Sequence, residues 1–337
     1  MRGDTTVPST MTWAMHGMAA TAIVQQTGPN TWSTGLGAKV LLGLLPQHVW
    51  FPMFRRGYAV LTFFQIIISC GLRVRMIFDA DDWLAMLQKM EYTAFKDSVW
   101  PLAIHIPTLM QELDIILATR PTSSEAAFAD ALQDMYRRVR LLSAHFDGWI
   151  AMFPKDARSS AELFQPSTQQ TVSRDVFHPR IEFATRDAGN SMMLYWTFKL
   201  LLAILANDIY QHLANTRACK CPKPTHDLPA QYAHLICRAV PYWLRTGSFS
   251  SYTVYMCMSW PLRVAKDWLS TQDNMEEHVA WCANMSNTIR ALRVGNIGEY
   301  IVDFMYSNVS ETIGRRGSQI QPPADPCEND SEQQLPE

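Results

Sequence analysis

The hydrophobic pattern of this chain is helical over most of its length. In the clearest stretch, apolar residues follow one another at alternating steps of four and three, which keeps their side chains on one face of an α-helix. They are Phe128, Leu132, Met135, Val139, Leu142, Phe146 and Trp149. The opposite face carries Arg137, Arg138 and Arg140, and Pro154 supplies a stop. The pattern predicts one long amphipathic helix that packs within the chain rather than in a coiled coil.

Two further helices are predicted in the second half of the chain. One begins after Asp227 as its N-cap, has Pro229 in its first turn and ends at Gly247. Pro241 lies inside this helix and predicts a kink or a split, because proline lacks an amide donor and crowds the preceding turn. The apolar face consists of Tyr232, Leu235, Ile236, Ala239, Val240, Trp243 and Leu244. The other helix has an apolar face formed by Met275, Val279, Cys282, Met285, Ile289 and Leu292.

Shorter helices are predicted over Trp13–Gln26, before Gly28–Pro29, and over Thr108–Thr119, before Pro121. After the break at Gly295–Gly298, an apolar pattern resumes. The alternation typical of β-strands is not sustained anywhere in the sequence. We therefore predict an all-α fold, of the helical-bundle or helical-repeat-like kind.

The composition along the chain predicts its division into parts. Residues 156–187 mix Ser, Thr, Gln and Pro without a period, which predicts a long surface loop or linker. We expect this linker to join two packed helical halves, residues 1–155 and 188–313. Residues 314–337 combine four prolines with acidic side chains and are expected to form a disordered acidic tail.

The charge and the cysteine content limit the binding partners and the cellular compartments that are expected for this protein. Charged residues make up 18% of the 337 residues, below the roughly 25% usual for a soluble domain. The formal net charge of −2 provides no overall positive field, so we expect no direct contact with nucleic acid. Seven cysteines without a framework spacing favour a reducing compartment. Met1–Thr12 has no apolar core of a secretory signal, so we expect the protein to stay inside the cell.

Two apolar runs raise the alternative of a membrane-associated helical protein. They are Tyr58–Leu72 and Met192–Ala206, and both are shorter than the roughly 18 to 20 residues that a membrane-spanning helix needs. Both runs also fit buried core helices of a large α-helical protein. We therefore expect no membrane insertion.

A short acidic string raises a second alternative, a helical isoprenoid cyclase-like enzyme. Asp79, Asp81 and Asp82 resemble the general-acid motif of class II terpene cyclases, in which a protonated carboxylic acid donates to an alkene. Capping of the following helix is the favoured interpretation, because carboxylates are stabilised at a helix N-terminus. Asn207–Asp208 lacks the acidic partners of a magnesium motif and is interpreted as a polar pair at a helix end.

Two other patterns are incomplete. Cys219–Cys221, with His212 before it and His226 after it, offers half of a zinc-binding pattern and is interpreted as a polar loop with unpaired thiols. Gly35–Lys39 lacks the Ser or Thr that follows the lysine of a phosphate-binding loop. We nominate no catalytic or metal-ligating residue and no cofactor, and we predict that the protein is not an enzyme.

A set of short segments, in a particular order along the chain, indicates a resemblance to a known protein family. The set comprises Trp13, His16, Gly17, Ala19 and Ala20 with Gly28–Pro29, Gly71–Arg73, Asp82–Trp83, Leu194–Trp196, Ile236–Tyr242, Trp260–Ala265, Trp281 and Gly295–Gly298. In this order the segments resemble the C-terminal regulatory region of fungal transcription factors of the six-cysteine binuclear zinc-cluster family. They cover much of the chain and are packing motifs, so the resemblance implies a fold and a biological setting rather than a catalytic residue.

The resemblance implies a transcription-regulatory protein tied to a fungal secondary-metabolite gene cluster. It implies a location in the nucleus, with the cytoplasm as the alternative, and a helical body that binds a small metabolite or a partner helix. Its protein partners would be the transcription machinery, contacted by the acidic tail from Asp325, or a DNA-binding regulator.

The chain departs from the family pattern in two places. The six cysteines of the family's DNA-binding zinc cluster are missing from Met1–Glu337, and Val40–Phe54 is longer than the usual connection. Three accounts follow. In the first, the chain is a shortened relative that regulates through protein partners. In the second, the sequence lacks an upstream exon that encodes the zinc cluster. In the third, the helical scaffold has lost its regulatory function. We favour the first two jointly.

Overall fold

The computed structural model describes residues 26, 69–70, 73, 99–152, 176–178, 180–183, 185–216, 221–225, 227–246 and 252–291. From residue 99 onward the described residues form seven α-helices and a single 3-10 turn at Arg120–Thr122, and none of the described residues lies in a β-strand. The helices are α1 (Trp100–Ala103), α2 (His105–Thr119), α3 (Glu125–Ala151), α4 (Arg186–Ala214), α5 (Leu228–Thr246), α6 (Tyr252–Leu269) and α7 (Glu276–Ala291). The predicted all-α class is confirmed.

Helix α3 is the long amphipathic helix that the sequence predicts. The side chain of Ser124 accepts a hydrogen bond of 3.2 Å from the backbone N–H of Ala127 and so caps the helix N-terminus. All seven residues of the predicted apolar stripe are buried, whereas Arg137, Arg138 and Arg140 are exposed. The helix ends three residues before Pro154.

Helix α4 occupies the centre of the described fold. Its side-chain cap is Thr185, which accepts a hydrogen bond of 3.1 Å from the N–H of Ala188. Every residue from Met192 to Leu200 is buried, since α4 contacts α2, α3, α5 and α6. A helix that is apolar around most of its circumference needs this kind of enclosure. The predicted core helix over Met192–Ala206 therefore lies within α4.

Helix α5 begins directly after Asp227 and ends just before Gly247, as predicted. It passes through Pro241 as one continuous helix, so of the predicted kink or split, the split does not occur. Proline removes a single amide donor, and packing against α4 and α6 holds the helix together. The carbonyl oxygen of Arg238, three residues before Pro241, also accepts a hydrogen bond of 3.0 Å from outside the helix, donated by the N–H of Ile181.

The prediction that residues 156–187 form a surface loop is wrong for the C-terminal part of that range. Residues 176–178 and 180–183 are irregular, as expected, but Phe177, Ile181 and Phe183 are buried in the core. These apolar residues follow no helical period, so periodicity gave no sign of their burial. The linker prediction also extends into α4, which starts at Arg186.

The hydrophobic core is continuous across the predicted linker. Helix α3 precedes the linker and α4 follows it, and the two helices pack directly on each other. Buried apolar side chains from α2 to α7 belong to one cluster. The helices that the sequence assigned to separate halves therefore share a core.

Two other predicted helices are confirmed. Thr108–Thr119 is part of α2, which begins three residues earlier, at His105, and ends where predicted. The predicted stripe lies along α7 from Val279 onward, with Met275 directly before the helix and with Cys282 and Ile289 buried. Several predictions concern residues outside the described ones. They fall on Trp13–Gln26 apart from Gln26, Gly35–Lys39, Val40–Phe54, Asp79–Asp82, Cys219, His226, Leu292, Gly295–Gly298 and residues 314–337.

By length and composition alone, two helical stretches among the described residues are apolar enough to cross a membrane, Pro101–Thr119 and Ala188–Ala214. The second lies within α4 and is largely enclosed by the other helices. The core helix of a globular protein passes the same test, so these stretches do not establish contact with a membrane.

Two glycines in helices offer a matched test of the packing. A Cβ atom added to Gly189 of α4 would lie 2.7 Å from Cζ2 of the buried Trp243 and 3.0 Å from Cδ2 of Phe183, whereas one added to Gly148 of α3 meets nothing within 4 Å. We expect Gly189→Ala to lower the free energy of unfolding by about 1–3 kcal/mol through overpacking. Gly148→Ala should raise it by about 0.5–1 kcal/mol, because alanine favours the helix. Urea unfolding followed by circular dichroism measures both, and equal effects at the two sites would contradict this packing.

Candidate functional site

A buried lysine joins α3 to α4. The Lys199 side chain lies in the apolar middle of α4 and is 7% exposed. Its Nζ donates hydrogen bonds of 2.8 Å to both carboxylate oxygens of Asp147, of 2.6 Å to Ser143 Oγ and of 3.2 Å to Ser143 O. A buried ammonium needs such partners, because losing water without replacement is costly. The Asp147 side chain is 56% exposed, so this polar cluster reaches the surface on the α3 side.

Two tyrosines complete the cluster around Lys199. The hydroxyl of Tyr195 donates a hydrogen bond of 2.8 Å to Asp147 Oδ1. The ring of Tyr232, from α5, lies edge-on to Tyr195 with centroids 6.4 Å apart, and Lys199 Nζ is 6.0 Å from its centroid. Burial raises the pKa of both phenols, and the charge of Asp147 raises both pKa values further. The phenols therefore stay protonated, and the cluster fastens α3, α4 and α5 together.

A buried ion pair lies on α6. Arg263 Nε donates a hydrogen bond of 2.6 Å to Asp267 Oδ2, one turn further along the helix, and both side chains are buried. Burial raises the pKa of Asp267, although the positive charge of Arg263 opposes this shift. One turn earlier, the buried hydroxyl of Ser259 has no hydrogen-bond partner. Polar groups thus recur every fourth residue on the most enclosed part of α6.

Two histidines meet between α5 and α7. The rings of His234 and His278 have centroids 5.4 Å apart, and the edge of Phe177 contacts both, at 5.3 Å and 5.0 Å. His234 Nε2 and His278 Nδ1 are buried without a hydrogen-bond partner. Burial lowers the pKa of His234, and its electrostatic interactions with His278 and Arg238 lower the pKa further. The His234 imidazole is therefore neutral at neutral pH.

Two cysteines lie one helical turn beyond these histidines. The Sγ atoms of Cys237 on α5 and Cys282 on α7 are 3.6 Å apart, and both side chains are fully buried. They are not joined in a disulfide. Burial raises the pKa of Cys237 well above its ordinary value, so the thiol stays protonated in the absence of a binding partner.

The candidate residues nominated from the sequence have ordinary contacts where they are described. Asp208 Oδ1 lies 3.5 Å from Nε2 of His212, one turn along α4. Cys221 is partly buried and in no disulfide. Among the described residues, no three His, Cys, Asp or Glu side chains are already arranged so that they could hold a metal ion. The acidic string Asp79–Asp82 lies outside these residues.

Sequence reasoning missed the partners in these clusters. A lysine in an otherwise apolar run was the one available sign of the Lys199 cluster, since such a charge requires a partner. The thiol and histidine pairs carry no comparable sign, because each joins residues of different helices that are more than 40 positions apart.

The segments that carry the family resemblance in the second half meet in the core. Leu194–Trp196, Ile236–Tyr242 and Trp260–Ala265 lie on α4, α5 and α6, which pack on one another. The ring of Phe183 lies 6.0 Å from Trp196 and 5.0 Å from Tyr242, and Phe198 lies 5.6 Å from Trp260. These segments therefore form adjoining parts of one aromatic-rich interior.

The chain matches no protein-family model, no curated protein and no solved structure at a significant level of similarity. The family resemblance therefore rests on the sequence segments themselves and stays a prediction.

The Lys199 cluster predicts an asymmetry between its two charged partners. Asp147→Ala leaves a buried ammonium without its carboxylate and should lower the free energy of unfolding by roughly 1–3 kcal/mol. Lys199→Met should cost less, because methionine fills apolar space and water can still solvate Asp147. Asp134→Ala is the matched control, since its 3.2 Å ion pair with Arg137 is exposed and worth about 0–1 kcal/mol. Chemical unfolding measures all three, and a larger loss for Lys199→Met than for Asp147→Ala would contradict the assignment.

The histidine pair predicts a loss of stability in acid. The pKa of His234 is lower in the folded chain than its ordinary value of 6.5, so the unfolded chain takes up the proton more readily. The free energy of unfolding should therefore be insensitive to this group above pH 6.5 and decline as the pH falls below it. His234→Gln should flatten this decline, whereas replacing the exposed His145 with Gln should preserve it. Thermal unfolding between neutral and mildly acidic pH, with a metal chelator present, tests this expectation.

Proposed function

We propose that this chain is a transcription-regulator-like protein, tied to a fungal secondary-metabolite gene cluster, that acts through a protein partner or a small-molecule ligand. The supporting observation is the meeting of the resemblance segments of α4, α5 and α6 in one core. These three segments are far apart in the sequence, and all three contribute to the same core. Short motifs that resembled the family only by accident would have no reason to lie together.

The buried charged side chains make contacts that suit a helical scaffold whose role is to bind a partner or a ligand. Lys199 directs its ammonium group to Ser143 and Asp147, and the Arg263 side chain donates to Asp267. These side chains hold helices together or stabilise a single helix, so their charges serve the fold. In such a scaffold, regulation comes from what the assembled helices bind.

The net charge of −2 supports action through partners, since it supplies no overall attraction to the phosphate backbone. In this proposal a separate DNA-binding regulator brings the chain to its target genes in the nucleus. The acidic tail from Asp325 contacts the transcription machinery.

Deleting the gene tests the proposal. We expect transcripts of neighbouring biosynthetic genes to change several-fold under producing conditions and to return when the full chain is supplied again. The Gly148→Ala chain should restore them as the wild type does. The Gly189→Ala chain should restore them less well, because regulation depends on the packing of α4 against Trp243.

Unaltered transcripts in the deletion strain would contradict the proposal. A second readout is the location of a fluorescently tagged full chain, which we expect in the nucleus. Exclusion from the nucleus under producing conditions would count against a role in transcription.

A further inference from the structure

We propose that Cys237 and Cys282 form a redox modification site, at which a peroxide converts the two thiols into a disulfide that fastens α7 to α5. The proposal goes beyond the regulatory function and does not depend on it. The Sγ atoms are 3.6 Å apart, and both residues are free thiols. A disulfide inside a reducing compartment is typically transient, because cellular thiols reduce it again.

The two sulfur atoms need to move little for a bond to form. A disulfide holds its sulfur atoms about 2.05 Å apart, so each Sγ atom moves by roughly 0.8 Å from the present separation of 3.6 Å. Rotation of the side chains about their Cα–Cβ bonds covers a movement of this size. The contact between α5 and α7 brings the two residues together although 45 positions separate them in the sequence.

The meeting of two thiols is more than apolar packing requires. A single buried thiol packs as a small apolar side chain and needs no second thiol beside it. Here the thiols come from different helices, and both side chains are fully buried where they meet. Each sulfur atom therefore lies within reach of a group with which it forms a reversible covalent bond.

Helix α7 supplies the route by which an oxidant reaches the pair. Among the α7 residues whose side chains are described, only Cys282, Ser286 and Ile289 are buried, whereas α4 is buried at every position from Met192 to Leu200. Two of the three side chains are small, so α7 buries less apolar surface than α4 does. Segments with few buried apolar contacts open locally at a lower cost than the core. We therefore expect α7 to open first and to expose Cys282 to water.

The closed pair is protected until α7 opens. Burial raises the pKa of Cys237 well above its ordinary value, and a thiol reacts with peroxides as its thiolate. Water stabilises a thiolate better than an apolar interior does. The thiol pair should consequently respond to a peroxide at a rate limited by the opening of α7.

The oxidation has two balanced steps. In the open state the Cys282 sulfur attacks hydrogen peroxide, an S–O bond forms as the O–O bond breaks, and one water leaves. On closing, the Cys237 sulfur attacks the resulting sulfenic acid, an S–S bond forms as the S–O bond breaks, and the Cys237 proton leaves in a second water. The two thiols lose two electrons, and hydrogen peroxide is reduced to two water molecules.

Peptide mapping of the full chain tests the site. The reduced chain is treated with hydrogen peroxide, its remaining thiols are alkylated in denaturant, and trypsin is added without a reductant. We expect residues 221–238 to be joined to residues 267–290, with dithiothreitol releasing the two peptides. In Cys221→Ser the first peptide keeps Cys237 as its one cysteine, and the crosslink should persist. Cys282→Ser should abolish it.

Hydrogen exchange measures the effect on the helix. The disulfide closes a loop that contains all of α6, so α7 can no longer leave α5. We expect amide exchange in α7 to slow by at least about tenfold in the crosslinked chain and to recover with dithiothreitol. This readout uses the wild type, so it decides the outcome even if Cys282→Ser fails to fold.

Three results would overturn the proposal. The first is alkylation of both Cys237 and Cys282 after a treatment that oxidises Cys221, which is partly exposed. The second is a crosslink that disappears in Cys221→Ser, since it would assign the disulfide to that residue. The third is unchanged exchange in α7 of the crosslinked chain.

Discussion

The enclosure of α4 is the constraint on which the described fold depends. A helix buried from Met192 to Leu200 must satisfy every polar group within the protein, and Lys199 is the most demanding of these groups. Its ammonium accordingly fixes the position of α3 through Asp147 and Ser143. The same carboxylate accepts a hydrogen bond from the hydroxyl of Tyr195, whose ring packs on Tyr232 of α5. One buried charge therefore coordinates the placement of three helices.

The irregular segment before α4 fills the space that the helices leave. Phe183 packs against Trp196 and Trp243, and the close approach of Trp243 leaves room for no side chain at position 189. At the other end of the segment, Phe177 covers the histidines between α5 and α7. The irregular segment thus contributes buried aromatic side chains to the core at both of its ends.

Prediction from the sequence succeeded where local periodicity decides the structure. The stripe from Phe128 to Trp149 defines α3 because apolar spacing, the Ser124 cap and the exposed arginines all agree. It failed at Phe177, Ile181 and Phe183, which have no helical period to mark them as buried. The split that Pro241 allowed does not occur, since a lost backbone hydrogen bond is tolerated in a helix that is packed on several sides.

The sequence by itself determined that this protein is helical and which faces of α3, α5 and α7 are apolar, because both follow from the spacing of residues a few positions apart. Only the tertiary structure decided which faces meet, since hydrophobic burial is non-directional and does not specify a partner. The pairing of Lys199 with Asp147, of Cys237 with Cys282 and of His234 with His278 therefore became visible only in the folded chain. Each pair is set by the crossing of two helices, and a one-dimensional pattern does not record that crossing.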